Sequence, residues 1–253
     1  MAVHSWSDYH WSTTDSTVRI PIVDNTTGDW PSRVAAANRD WNTSGNIESP
    51  LQLGTNNPRR CAMALDTIQV CNASYGSTGW LGIASISISG GHIVAGSTKL
   101  NDTYFSLQQY SAPEWKQLVV CQEIGHDYGL GHQNEDFSTD LTSSCMEYTS
   151  VPQGNTTPDD HDYEQLGAIY DSHIHAGVGG PGGSGGPGKD RGKKLGIDVG
   201  DSPAEWGKAV GKDAAGRANE FVRNFNGYTI ITFVTWAPDV KRSGMREIHF
   251  DDL

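Results

Sequence analysis

The stretch from Ser111 to His132, SAPEWKQLVVCQEIGHDYGLGH, constrains this 253-residue chain more than any other, because it reads as one helix with an enforced end. Ser111 and Pro113 mark the start, since proline is tolerated in a first turn where its missing N–H costs nothing. Trp115, Leu118, Val119, Gln122 and His126 then recur at three/four spacing and share one face. Glu123 lies one position round, close enough to reach a group bound over that face. Gly125 removes a side chain where another element can press close. Gly129 can take a left-handed conformation at almost no steric cost, which ends the helix and lets the chain swing His132 back towards Gln122 and His126. Two imidazoles, a carboxylate and an amide are groups that hold a metal ion or move a proton.

Other segments supply a sheet and two further helices. Ser16–Asn25 alternates apolar and polar residues as a strand, and DTIQVCNA, Ile83–Gly90 and Gly91–Asp102 read the same way. The last of these is a candidate edge strand, against which an extended peptide can align by main-chain pairing. Trp30, Val34, Ala37 and Trp41 have helical spacing, with Asp29 as the expected N-cap. A further helix is expected from about Asp159 to Tyr170. Residues 176–196 are rich in glycine and proline and read as a linker, because they cannot repay their ordering entropy. The linker divides a main domain, 1–175, from a C-terminal β-rich extension, 197–253, in which Asn226-Gly227 between apolar runs predicts a hairpin.

QEIGHDYGLGH followed by SCMEY resembles the metzincin zinc-protease signature H-E-x-x-H-x-x-G-x-x-H with its methionine turn. Glu123, His126, Gly129 and His132 match at the right spacing, and Met146 lies 14 residues beyond His132. Ser144, Met146 and Tyr148 resemble the S-x-M-x-Y turn of the astacin and serralysin branches, in which the tyrosine is an added metal ligand. The resemblance covers roughly residues 5–172. It implies an α+β, metzincin-like (zincin) domain with a twisted mixed sheet, an active-site helix and a Met-turn. It implies a secreted zinc endopeptidase with one catalytic Zn2+, Glu123 as general base, Tyr148 as hydrogen-bond donor to the oxyanion, Met146 as a floor beneath the metal, and a peptide or protein substrate. The alternatives are an inactive peptide-binding protein and a non-peptide hydrolase on the same scaffold.

One position departs from the signature: Gln122 stands where the family has its first histidine. An amide oxygen is a poorer zinc ligand than a neutral imidazole. Gln122 can ligate through that oxygen beside His126, His132 and Tyr148; His92 or His161 can replace it; or the site holds no metal. The first arrangement is favoured, because every other part of the signature stands.

Composition narrows the setting. A formal net charge of -12 repels phosphate backbones and anionic membrane surfaces, so neither nucleic acid nor membrane is an expected partner. A monomer is expected. Four cysteines, Cys61, Cys71, Cys121 and Cys145, in a lysine-poor chain predict two disulfides and an extracellular location. Of three possible pairings, Cys61–Cys71 with Cys121–Cys145 is the expected one. In a metzincin the second bridge would tie the metal helix to the Met-turn.

Overall fold

A computed structural model describes residues 4–5, 9–139, 141–171 and 193–238. The chain is α+β, with one mixed sheet carrying helices. In order come β1 (His10–Trp11), β2 (Ile22–Asp24), α1 (Trp30–Trp41), β3 (Leu51–Leu53), β4 (Ile68–Ala73), β5 (Trp80–Ser89), β6 (His92–Asn101) and the short α2 (Asp102–Phe105). They are followed by α3 (Pro113–Asp127), α4 (Asp160–Tyr170), a one-turn α5 (Pro203–Trp206), β7 (Lys208–Lys212), β8 (Ala218–Phe225) and β9 (Tyr228–Trp236). The sheet order is β3-β2-β4-β6-β5-β9-β8-β7, with β1 paired to the start of β6.

The strand expected over Ser16–Asn25 is confined to Ile22–Asp24. Pro21 has no N–H for a ladder, and only Val18, bridged to Ile47, pairs before it. Asp29 stands at the N-cap of α1 but makes no side-chain cap; its carboxylate pairs with Lys116 at 2.6 Å and Arg33 at 3.3 Å. β6 is interior, lying between β4 and β5, so the expected edge strand is not an edge. Its run of buried residues, Ala95 to Asn101, satisfies an inner strand better than an edge.

α3 lies across β5 and β6 with α1 beside it, and from Leu118 to Asp127 every residue is buried. Trp41 of α1 donates its indole N–H to the Cys121 carbonyl at 3.0 Å. Gly125 is where the Met-turn closes on the helix: a Cβ there would meet the Met146 sulfur and stand 2.7 Å from the Trp41 ring. Gly129 has φ +97°, and a Cβ would lie 2.6 Å from the Tyr9 carbonyl oxygen, so helix end and N-terminal chain fit only around glycine. The bridges Cys61–Cys71 and Cys121–Cys145 are both formed, with Cα–Cα distances of 5.8 and 6.0 Å.

The expected linker, 176–196, lies outside the described residues except for 193–196. The chain beyond it is sutured back to the main body: Leu65 N donates to Lys193 O at 2.9 Å and Leu195 N to Met63 O at 3.1 Å. Lys99, 1% exposed on β6, then clamps the segment through Asp201 at 2.9 Å and the Gly200 carbonyl at 3.0 Å. β8 and β9 form the hairpin expected at Asn226-Gly227, whose φ values of 49° and 83° are those a primed turn requires. That hairpin does not stand apart. β9 pairs antiparallel with β5 from Trp80↔Trp236 to Ile88↔Thr229, with a bulge between Trp80 and Gly82, and continues the sheet. Among the described residues no helix is long and apolar enough to cross a membrane.

Candidate metal and peptide site

The site forms where the C-terminal half of α3 and the chain after Gly129 meet the Met-turn. His126 sits in the last turn of α3, fully buried, and its Nδ1 is 2.8 Å from the Leu130 carbonyl. A carbonyl accepts only, so Nδ1 carries the proton and Nε2 keeps its lone pair. Burial, with the neighbouring His132, holds the His126 pKa well below its ordinary value, so the ring is neutral. The His132 Nδ1 is 2.9 Å from Glu135 Oε1, which leaves its Nε2 facing inward too. Burial pushes the Glu135 carboxyl up, but the His132 ring and the Asn219 amide outweigh it and hold the group below the usual range.

The two Nε2 atoms are 2.9 Å apart, within hydrogen-bond distance of each other. Paired imidazoles whose far nitrogens are tied to a carbonyl and a carboxylate are the arrangement that orients histidines on a metal. In a tetrahedral zinc site such atoms would sit about 3.3 Å apart, a few tenths wider than they stand here. The two histidines therefore fit a divalent ion. Among the described residues no three His, Cys, Asp or Glu side chains converge as a metal-binding group, so the rest of a shell has to come from other donors.

The expected donors are present but engaged. Gln122 is fully buried; its Nε2 donates to the Cys145 carbonyl at 2.8 Å, and its Oε1 accepts from Thr235 Oγ1 at 2.6 Å. The Tyr148 hydroxyl donates to the Val234 carbonyl at 3.1 Å and accepts from Asn219 Nδ2 at 3.2 Å. Burial, reinforced by Glu135, raises the Tyr148 pKa well above its ordinary value, so it is a neutral phenol and a hydrogen-bond donor. Its ring lies between His132, at 4.3 Å, and Phe137, at 4.6 Å. Met146 is buried beneath α3, and the turn is held by Gln133 N donating to Met146 O at 2.7 Å.

Glu123 is fully buried, and neither carboxyl oxygen has a partner in good hydrogen-bond geometry. Burial pushes its pKa well above the ordinary value and Asp127 adds to the rise; the Thr235 hydroxyl and Ala84 N–H oppose it from outside that geometry. His92 and His161 have other neighbours: His92 packs on His10 at 5.0 Å and His161 on His4 at 4.8 Å.

Several residues at the site were not singled out from the sequence, Asn219 and Phe137 among them. Glu135 was findable, being three residues after His132 and able to reach its ring. Phe233, Val234 and Thr235 come from β9. Phe233 stacks face to face on His126, with centroids 4.4 Å apart and planes at 3°. Only the apolar run YTIITFVTW hinted at them, since such a run needs cover on both faces.

No family model matches the chain, and no curated protein matches it. Solved structures similar to it include myroilysin, at 12% identity and TM-score 0.39, covering 66% of this chain and 97% of that one. Another is high choriolytic enzyme 1, a hatching-enzyme zinc-protease from the medaka fish Oryzias latipes, at 14% identity and TM-score 0.35, covering 67% and 98%. A third is archaemetzincin from Archaeoglobus fulgidus in complex with malonate, at 14% identity and TM-score 0.32, covering 58% and 99%. Superpositions this loose carry no functional argument.

Proposed function

We propose that the chain is a secreted, zinc-dependent endopeptidase of the metzincin kind, acting on peptide or protein substrates. The observation that carries this is the histidine pair: two inward Nε2 atoms 2.9 Å apart, each ring oriented from behind. His126 and His132 would hold the ion, with Gln122 and Tyr148 as the further donors once released from Thr235 and Val234. A bound zinc supplies a Lewis acid for the scissile carbonyl and lowers the pKa of a water molecule. Glu123, next along the helix from Gln122, would accept the water's proton once the site is open to solvent and the carboxyl ionised, and would pass it to the leaving amine. Tyr148, held neutral, donates a hydrogen bond to the oxygen that gains charge. Two disulfides support an oxidising, extracellular setting.

Metal content measured on purified protein, with casein digestion, tests the reading. One equivalent of zinc is expected in the wild type and in Glu123→Ala, with digestion only in the former. His132→Ala should lose the zinc. Zinc that is not taken up after reconstitution would refute the metal assignment. A second reading, an inactive peptide-binding protein, draws on the Thr235–Gln122 hydrogen bond, which satisfies the amide oxygen without any metal.

A further inference from the structure

We infer that β9 is a substrate-like strand of the chain itself, seated in the peptide groove so that the described conformation is self-inhibited. The inference rests on the peptidase reading for what the groove is for, but its own support is geometric. β5 is the strand beside α3 whose outer row of N–H and C=O groups an extended peptide would use, and β9 has taken that row antiparallel from Trp80 to Ile88. That row of β5 is closed to a second peptide while β9 occupies it.

The strand's contacts are those a bound peptide would make. One main-chain carbonyl, that of Val234, accepts from the Tyr148 hydroxyl at 3.1 Å. A side-chain hydroxyl, that of Thr235, donates to Gln122 Oε1 at 2.6 Å. An aromatic ring, Phe233, covers the His126 imidazole. Beneath them Glu123 has no solvent exposure and no hydrogen-bond partner in good geometry, a costly state for a carboxyl that merely holds a fold together.

The tail is also built to return. Residues 193–201 are fixed to the body by the Lys193 and Leu195 backbone pairings and the Lys99 clamp. The tether would stay in place if β9 left β5, which would keep its effective concentration at the groove high. Ile231 and Phe233 point towards α3, while Thr232 faces the opposite side, where its hydroxyl lies 2.9 Å from that of Ser85 across the ladder.

That pair offers a lock remote from the chemistry. Full-length Ser85→Cys/Thr232→Cys is compared, oxidised and after mild reduction, with wild type and with the release variant Ile231→Asp. All carry Glu123→Gln when binding is measured. The probe is a fluorescein-labelled peptide of the sequence Tyr228–Trp236, followed by anisotropy, with mass spectrometry confirming that the two native bridges persist. We expect the oxidised lock to bind at least tenfold more weakly than its reduced form, and Ile231→Asp to bind at least tenfold more tightly than wild type. Equal binding by both lock states, with no gain in a folded Ile231→Asp, overturns the inference. With Glu123 restored, casein digestion separates the two claims. Peptide binding gained without digestion in any form sinks the peptidase reading and leaves the strand's role standing. Digestion that the oxidised lock does not slow overturns the strand's role and leaves the peptidase reading intact.

Discussion

Glu123→Gln should stabilise the protein increasingly as pH rises, and the size of that trend follows from burial. In the closed structure the carboxyl is fully buried and without a good hydrogen bond, and its pKa stands well above the ordinary value because burial disfavours the charge. A carboxyl raised on folding binds its proton more tightly when folded than when unfolded. Its contribution is therefore fully present below the unfolded pKa, about 4.3, and is lost as pH rises towards the folded pKa. Within that window each pH unit costs the wild type about 1.4 kcal/mol relative to a variant that cannot ionise. For a chain of this size that is a gain of roughly 3–6 °C in relative Tm for the variant per pH unit inside that window. The assay is thermal unfolding of wild type and Glu123→Gln in chelator-treated buffer at half-unit steps, followed by circular dichroism. Comparing the two proteins cancels the titration of distant groups. A Tm difference that stays flat across the window would refute the reasoning: Glu123 would then be ionised and hydrated in the folded protein, and β9 would not be sealing it.

Two further outcomes test the frame around the site. Replacing Cys121 and Cys145 together by alanine should cost about 3.4 kcal/mol from the 24-residue separation, against about 2.7 kcal/mol for Cys61 and Cys71 with a separation of 10, as read from denaturant midpoints; a larger loss from the shorter loop would count against loop entropy as the main effect. Lys99→Met removes the clamp on 198–201, and because both carboxylates are about a third exposed the loss should be modest, about 1–3 kcal/mol, with faster hydrogen exchange in residues 193–201; unchanged exchange there would show that the backbone pairings alone hold the tether.

The helix α3 was legible because its signals are local: proline in the first turn, three/four spacing of apolar residues, and glycine at the stop. So was the hairpin, because Asn226-Gly227 dictates a turn within two residues. The edge was misplaced for the opposite reason. β5 and β6 carry similar buried runs, and nothing within either says which lies outside; that is decided by what pairs with them, and β9 arrives from more than 130 positions away. The same distance hid the partner of Gln122. From the signature the favoured partner of its amide oxygen was a metal, whereas the fold offers it the hydroxyl of Thr235. A histidine at this position would put a ring nitrogen or a C–H where that oxygen now accepts, and its ring could not donate to both Cys145 and Glu147 carbonyls as the amide does at 2.8 and 3.4 Å. Gln122 is thus suited to a strand delivered from the other end of the chain, because its amide oxygen accepts from Thr235 while its nitrogen holds the Met-turn carbonyls.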